Sequence, residues 1–208
     1  MSISPRLIRG GLVLVDSDSG QARQVIVLQY NPDTLSRTLQ PQMAGPESGD
    51  RIEALRIKGP PIETLKLDAE LDATDQLAAG EGQGGLHAHL AALEMLVYPT
   101  VSDLRANQTL ANAGTLEIVP IEAPLTLFVW GRSRILPVRV TEFSITEEGF
   151  DPQLNPIRAK VSLSMRVLSV SDLPPGHRGA DLYLAYQSQK EALARQFKGR
   201  LEDLGVTL

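Results

Sequence analysis

His87 and His89 stand two residues apart, a spacing that lets two imidazoles share a metal ion when both project from one face of a strand. Here they open a stretch of helical spacing, where residues two apart diverge by about 200° and do not converge on one ion. His177 is isolated among Gly and Pro. Gly80-Glu81-Gly82-Gln83-Gly84-Gly85 satisfies G-x-G-x-x-G and precedes a helix. A dinucleotide site needs that turn directly between a parallel strand and a helix, inside repeated βαβ units. Asp75 to Ala79 already separates these glycines from the preceding strand, and the chain around them is antiparallel in character, so the segment reads as a flexible loop. No serine sits in a G-x-S-x-G elbow. Glu147-Glu148 falls at a strand end, where solvated charge is the ordinary explanation. With no cysteine, a thiol nucleophile, a thiolate metal site and a disulfide framework are excluded together. The expectation is no catalysis, no metal and no cofactor.

The elements that carry these residues read mainly as strands. Leu12 to Val15 and Val25 to Tyr30 flank Asp16-Ser17-Asp18-Ser19-Gly20, a hairpin signal. From Leu65 to Asp72 the alternation is nearly perfect: Leu65, Leu67, Ala69 and Leu71 against Lys66, Asp68, Glu70 and Asp72. Leu125 to Trp130 is a strand stopped by Gly131-Arg132-Ser133. Ile135 to Glu147 is another whose phase slips, with Val138 and Val140 on one parity and Phe143 and Ile145 on the other, which predicts a β-bulge near Thr141-Glu142. Ile157 to Val167 alternates cleanly, with Arg158, Lys160, Ser162, Ser164 and Arg166 on its polar side. That side is either a solvated face or a surface of an assembly. Gly149 to Pro156 reads as a turn-rich loop. Helical spacing covers Leu86 to Val97, stopped by Pro99. It returns over Ala180 to Leu204, with Leu182, Tyr186, Leu193, Phe197, Leu201 and Leu204 on one stripe and Gly205 as the stop. Ala44 to Gly49 is loop-like.

The fold expected is therefore mainly β (α+β), a sandwich or barrel with one packed helix and a C-terminal helical extension. Asp172-Leu173-Pro174-Pro175-Gly176 divides a β body at 1–172 from the extension at 173–208. Twenty basic against 25 acidic residues give a net charge of −5 over 208 residues, against the surplus of basic charge that a nucleic-acid footprint requires. Four Phe, four Tyr and one Trp are too few for a stacking platform. No apolar run reaches a membrane span and Met1 to Gly11 lacks the apolar stretch of a signal peptide, so the expectation is a cytoplasmic protein without a membrane segment.

Two stretches together resemble a known family. Val25-Ile26-Val27-Leu28-Gln29-Tyr30-Asn31-Pro32 leads into Thr34-Leu35-Ser36-Arg37. Pro124-Leu125-Thr126-Leu127-Phe128-Val129-Trp130-Gly131 is followed by the strand pair and Pro156-Ile157-Arg158-Ala159. In order and spacing, over roughly 8–170, they resemble the tube and baseplate proteins of contractile injection systems, relatives of contractile phage tails. Asn155 stands where the family pattern has a glycine. The resemblance implies a phage-tail-tube-like fold in which Asn31, Pro32, Phe128, Trp130, Gly131, Pro156 and Arg158 determine fold or interface. It further implies a tube initiator or spike adaptor: a hexameric ring between the spike complex and the inner tube, touching other baseplate subunits, in a particle that can be released from the cell. The residues after the tube-like part are too few for the LysM peptidoglycan-binding module that many members carry, and they read as helix. Two alternatives stand beside it: an ordinary inner-tube or phage-tail tube subunit, and a small-ligand-binding β-barrel.

Overall fold

The computed structural model describes residues 8–16, 19–43, 55–78, 84–112 and 123–206. Ala44 to Gly49 and residues 80–83 of the glycine run lie outside them. Within the described residues the chain forms β1 (Gly11–Val15), β2 (Ala22–Val27), β3 (Leu35–Met43), β4 (Ile57–Asp72), α1 (Thr74–Ala78), α2 (His87–Glu94), α3 (Val101–Asn112), β5 (Leu125–Val129), β6 (Ile135–Phe150), β7 (Pro156–Val167) and α4 (Arg178–Ala194). A short 3-10 turn follows at Leu201–Leu204. The strands make one antiparallel seven-stranded sheet in the order β2-β1-β5-β6-β7-β4-β3.

The mainly β reading holds, and the sheet gives it a definite form. β2 and β4 lie five places apart, which in a flat sheet is about 24 Å. Yet Gln29, just past β2, donates to the Asp72 carbonyl at 2.6 Å and accepts from the Asp72 N–H at 2.8 Å, at the end of β4. The sheet therefore curls toward a barrel, and among the described residues β2 and β3 have no second strand partner. Inside the curl lie Leu12, Leu65, Leu67, Phe128, Leu136, Val161, Leu163 and Met165. Leu86, Leu90 and Leu93 at and along α2 close one part of the core, and Tyr183 and Tyr186 of α4 close another. Two helices are packed where one was expected.

The β-bulge is where the phase slip placed it. Register shifts between Val140 and Glu142, so Val140 opposite Met165 and Phe143 opposite Leu163 share the core side. The hydroxyl of the extra residue, Thr141, donates to the Ser164 carbonyl at 3.1 Å.

β3 was not foreseen. As an edge strand, largely exposed, it carries Ser, Arg, Thr and Gln and shows no apolar alternation. β4 begins eight residues before the expected Leu65, through Gly59-Pro60-Pro61. Prolines are tolerated because this first part is not laddered to β7, whose pairing starts at Thr64, and its register with β3 is irregular. α3 was missed because it buries none of its residues, although Thr100 and Asp103 form its N-terminal cap: the Asp103 N–H donates to the Thr100 hydroxyl at 3.2 Å.

The helix expected over 180–204 is not continuous. α4 stops at Ala194, the chain loosens, and the 3-10 turn closes on Gly205 at φ +68°. The expected stripe divides accordingly. Tyr186 is buried, whereas Leu193, Phe197 and Leu204 are 59%, 85% and 73% exposed.

Candidate functional site

The residues singled out by the sequence fall into two groups. The first is a corner where the ends of β2, β1 and β5 meet. Asn31 accepts from the Gly10 N–H at 2.8 Å and its amide donates to the Ile8 carbonyl at 3.0 Å. Those two bonds fix the segment that feeds β1. Trp130 stacks on Phe128, with centroids 5.7 Å apart and planes at 16°, and its ring lies over Gly10. A Cβ on Gly10 would meet that ring at 2.4 Å, so this position admits no side chain. Gly131 takes φ +82° and lets the Trp130 N–H reach the Arg134 carbonyl at 2.8 Å, closing the β5–β6 turn. Pro32 follows Asn31 and is half-buried. Gln29 and Gly10 belong to this corner too. Gln29 lies within the stretch from Val25 to Pro32, where nothing in the sequence marks it as a partner of Asp72, and nothing marks Gly10 as the seat of an indole.

The second group lies at the β6–β7 connection. Asp151 organises it, accepting from the N–H groups of Gln153 and Asn155 at 2.8 Å each and from the Asn155 side chain at 2.7 Å. These bonds, the Asn155 side chain first, hold the Asp151 carboxyl below the usual carboxylate range. Leu154 sits at φ +65°, the cost of turning here without a glycine. Pro156 is fully buried, and its carbonyl accepts the Leu86 N–H at 2.9 Å. Thus α2 is pinned to the start of β7. His87 and His89 sit on this helix, and no group of three metal-ligating side chains exists among the described residues.

Arg158 opens a larger feature. The side of the sheet away from the core is polar across β3, β4, β7 and β6, and the register orders it into rows. Asp72, Arg158 and Glu148 stand side by side; then Glu70, Lys160 and Thr146; Asp68, Ser162 and Ser144; Lys66, Ser164 and Glu142; and Thr64, Arg166 and Arg139. Ser36 and Thr38 of β3 extend the last two rows. Lys160 Nζ is 3.1 Å from Glu148, Lys66 Nζ 3.9 Å from Glu142, and Arg166 2.5 Å from Asp172. The Ser162 and Ser164 hydroxyls donate to Asp68 and Glu142 at 2.5 and 3.0 Å. Thr74, through its side chain first and its backbone second, holds the Asp72 carboxyl low, and Arg158 adds to it. Opposite charges therefore alternate across strands, the favourable arrangement, except at the Arg166–Arg139 end, where Asp172 offsets the like pair.

One charged cluster lies on the core side instead. Glu63 is 3% exposed and holds Arg37 of β3 at 2.9 Å and Lys190 of α4 at 3.6 Å. Lys190 also lies over the Tyr186 ring, 4.5 Å from its centre. This cluster ties the edge strand and α4 to β4. No spacing in the sequence joins residues 37, 63 and 190.

The cleft between the edge of β2 and α2 has a volume of about 320 Å³, an apolar lining that includes Ala69, Leu71 and Leu93, and an open mouth. No helix among the described residues is long and apolar enough to cross a membrane.

Comparison with known proteins returns no match among curated proteins. Among solved structures, the chain is similar to the tail of an empty GTA particle determined by helical refinement with C6 symmetry, at 12% identity over 75% of this chain and 90% of that one. The TM-score of 0.28 is too low to support any argument. The model of the contractile injection system tube proteins matches residues 13–171, from β1 through β7 and just beyond. That stretch contains the corner apart from Ile8 and Gly10, the β6–β7 connection and the whole polar face, and by it this chain belongs to the contractile injection system tube protein family.

Proposed function

We propose that the chain is a structural part of the baseplate, a hexameric ring that joins the spike complex to the inner tube of a contractile injection system. Two features of the fold favour a ring. Among the described residues β2 pairs only with β1 and β3 only with β4, so the sheet presents two edges that neighbouring copies protect when a ring closes. The same sheet is apolar toward its helices and polar over four strands on its other side, the division needed if that side lines a wet bore. Each contact between copies must bury on the order of 1,000 Å² or more to hold during firing. In this reading Asn31, Pro32, Phe128, Trp130, Gly131 and Pro156 fix the fold of the subunit, and Arg158 belongs to the bore. The ring assembles in the cytoplasm, and its work is mechanical rather than catalytic.

The observation that carries the adaptor over an ordinary inner-tube subunit lies past the family match, in the extension assigned to 173–208. Beyond Lys190 the described side chains are all exposed, and they include Leu193, Phe197, Leu204 and Val206. A subunit that only stacks on itself has no need of this added apolar surface; an adaptor has a second, different neighbour to hold. Removing the extension from residue 173 would take Tyr183 and Tyr186 out of the core, so the informative deletion is 195–208. That truncated chain should keep its far-ultraviolet circular dichroism and fail to enter particles. Particles that assemble normally with it would contradict the adaptor role. Counting copies by quantitative mass spectrometry gives a second test. An adaptor stays at one ring per particle whatever the tube length, while a tube subunit rises in proportion to length.

A further inference from the structure

The charges on the polar face are balanced in place, and this says what can pass along it. Over β4, β7 and β6 the face carries five acids (Asp68, Glu70, Asp72, Glu142 and Glu148) and five bases (Lys66, Arg139, Arg158, Lys160 and Arg166). The signs are sorted by strand, bases alone on β7 and mostly acids on β4, so opposite charges neighbour each other about one strand spacing apart. Arg158 and Lys160 occupy the middle strand with carboxylates on the strands to either side, and the ion pairs run across strands rather than along them. Between the charged rows lie serines, two of whose hydroxyls are already bonded to carboxylates of the face. Phe143 points toward Leu163 on the core side, so aromatic rings reach the face only at its Asp72–Arg158–Glu148 end, where Tyr30 and Phe150 are exposed. The face is thus wet and charged, without a prevailing sign, and along its rows from Glu70 to Arg139 it carries no aromatic ring.

A concave surface lined by one sign focuses its field and changes the local concentration of a charged solute by about tenfold or more. A grip on nucleic acid needs a surplus of Lys and Arg along the path. This face has neither property. We infer that it forms a sign-indifferent bore, one that passes polypeptide cargo of either net charge and exerts no electrostatic hold on nucleic acid. The inference rests on the reading that this face lines the lumen of the ring, and it adds to that reading the class of cargo the lumen admits.

Because the chain has no cysteine, one introduced thiol reports on one place. Ser144→Cys, exposed at the middle of β6, puts the thiol in the centre of the face; Thr146→Cys, one row along, is the second position should the first disturb assembly. In assembled particles at low salt, the thiol is reacted with a cationic and an anionic methanethiosulfonate of equal size, each rate normalised to a free small thiol. The expected ratio of the two rates lies within about threefold of one. Lys66→Gln with Lys160→Gln removes positive charge from every copy and should move the ratio about tenfold toward the cationic reagent; Asp68→Asn with Glu70→Gln should move it the other way. A bias of about tenfold in the unaltered bore overturns the inference, as does a ratio that neither charge change moves. A polymer-linked maleimide, too bulky for the bore, separates this from failure of the ring reading. If it labels Ser144→Cys in intact particles as readily as in the free chain, the face is not a lumen and both readings fall. If it is excluded while the small reagents show a strong bias, only the sign-indifference falls.

Discussion

At the corner past β2, Gln29 and Asn31 direct their amides to the backbones of neighbouring strands, whereas on the outer side of β4, β7 and β6 the polar side chains bond one another. The two arrangements do different work. A side-chain amide that satisfies a backbone group fixes where a strand begins or ends, and losing it leaves that group without its partner, at roughly 1–3 kcal/mol. A cross-strand pair in water contributes about 0–1 kcal/mol and can be exchanged for another polar pair. The corner therefore demands particular residue types, and the face demands only polarity and balance. Function on this account is divided the same way: the corner sets the shape of the subunit, and the face meets whatever moves past it.

The largest break in that comparison should come from the corner's aromatic pair. Phe128 is fully buried and stacked on Trp130, so Phe128→Ala should lower unfolding stability by about 3–5 kcal/mol in urea titration. Asn31→Ala should cost about 1–3 kcal/mol, and amide exchange at Gly10 should rise with it, because the Gly10 N–H loses its acceptor.

Acid sharpens the contrast further. Asp151 and Asp72 both have folded pKa values below the ordinary carboxylate value, so the folded chain binds fewer protons there than the unfolded chain does. Their contribution is fully present above about pH 3.9 and is lost as pH falls through the lowered folded values. Replacing Asp151 by Asn should flatten the acid limb of the stability curve below about pH 3.9 and leave its slope near neutrality unchanged. A limb as steep as before would show that the loop bonds do not respond to protonation. The smallest effect belongs to the face: Lys160→Gln, which removes an exposed pair with Glu148, should change stability by less than about 0.5 kcal/mol. A loss comparable to that of Asn31→Ala would erase the distinction between the two regions.

How much of this was legible in the sequence follows from the same division. Strands with one wet and one buried side announced themselves by alternation, as at Leu65 to Asp72 and Ile157 to Val167, and even the bulge at Thr141 showed as a change of parity. β3 and α3 did not, because neither buries enough of itself to impose a pattern. The unbroken helix expected over 180–204 failed for a related reason. Apolar residues at helical spacing continue past Ala194, but nothing in the described chain covers them, and packing rather than spacing stabilises a surface helix. At the candidate site, the motif residues Asn31, Trp130 and Pro156 could be named, but their partners could not. Gly10 under the indole, Asp72 at the end of Gln29 and Leu86 on Pro156 are contacts of tertiary structure, made across separations that carry no periodic signal. The balance of charge on the polar face needed the cross-strand register before it could be counted.

The central claim concerns where this subunit sits and which way its sheet turns, and a cryo-EM map of the intact particle tests it most directly. The account predicts a single ring of this chain between spike and tube, with the rows of Arg158, Lys160 and Ser162 facing the axis and the segment after Ala194 resting on a different protein. Density for this chain repeated along the whole tube, or a ring with those rows turned to the outside, would contradict it.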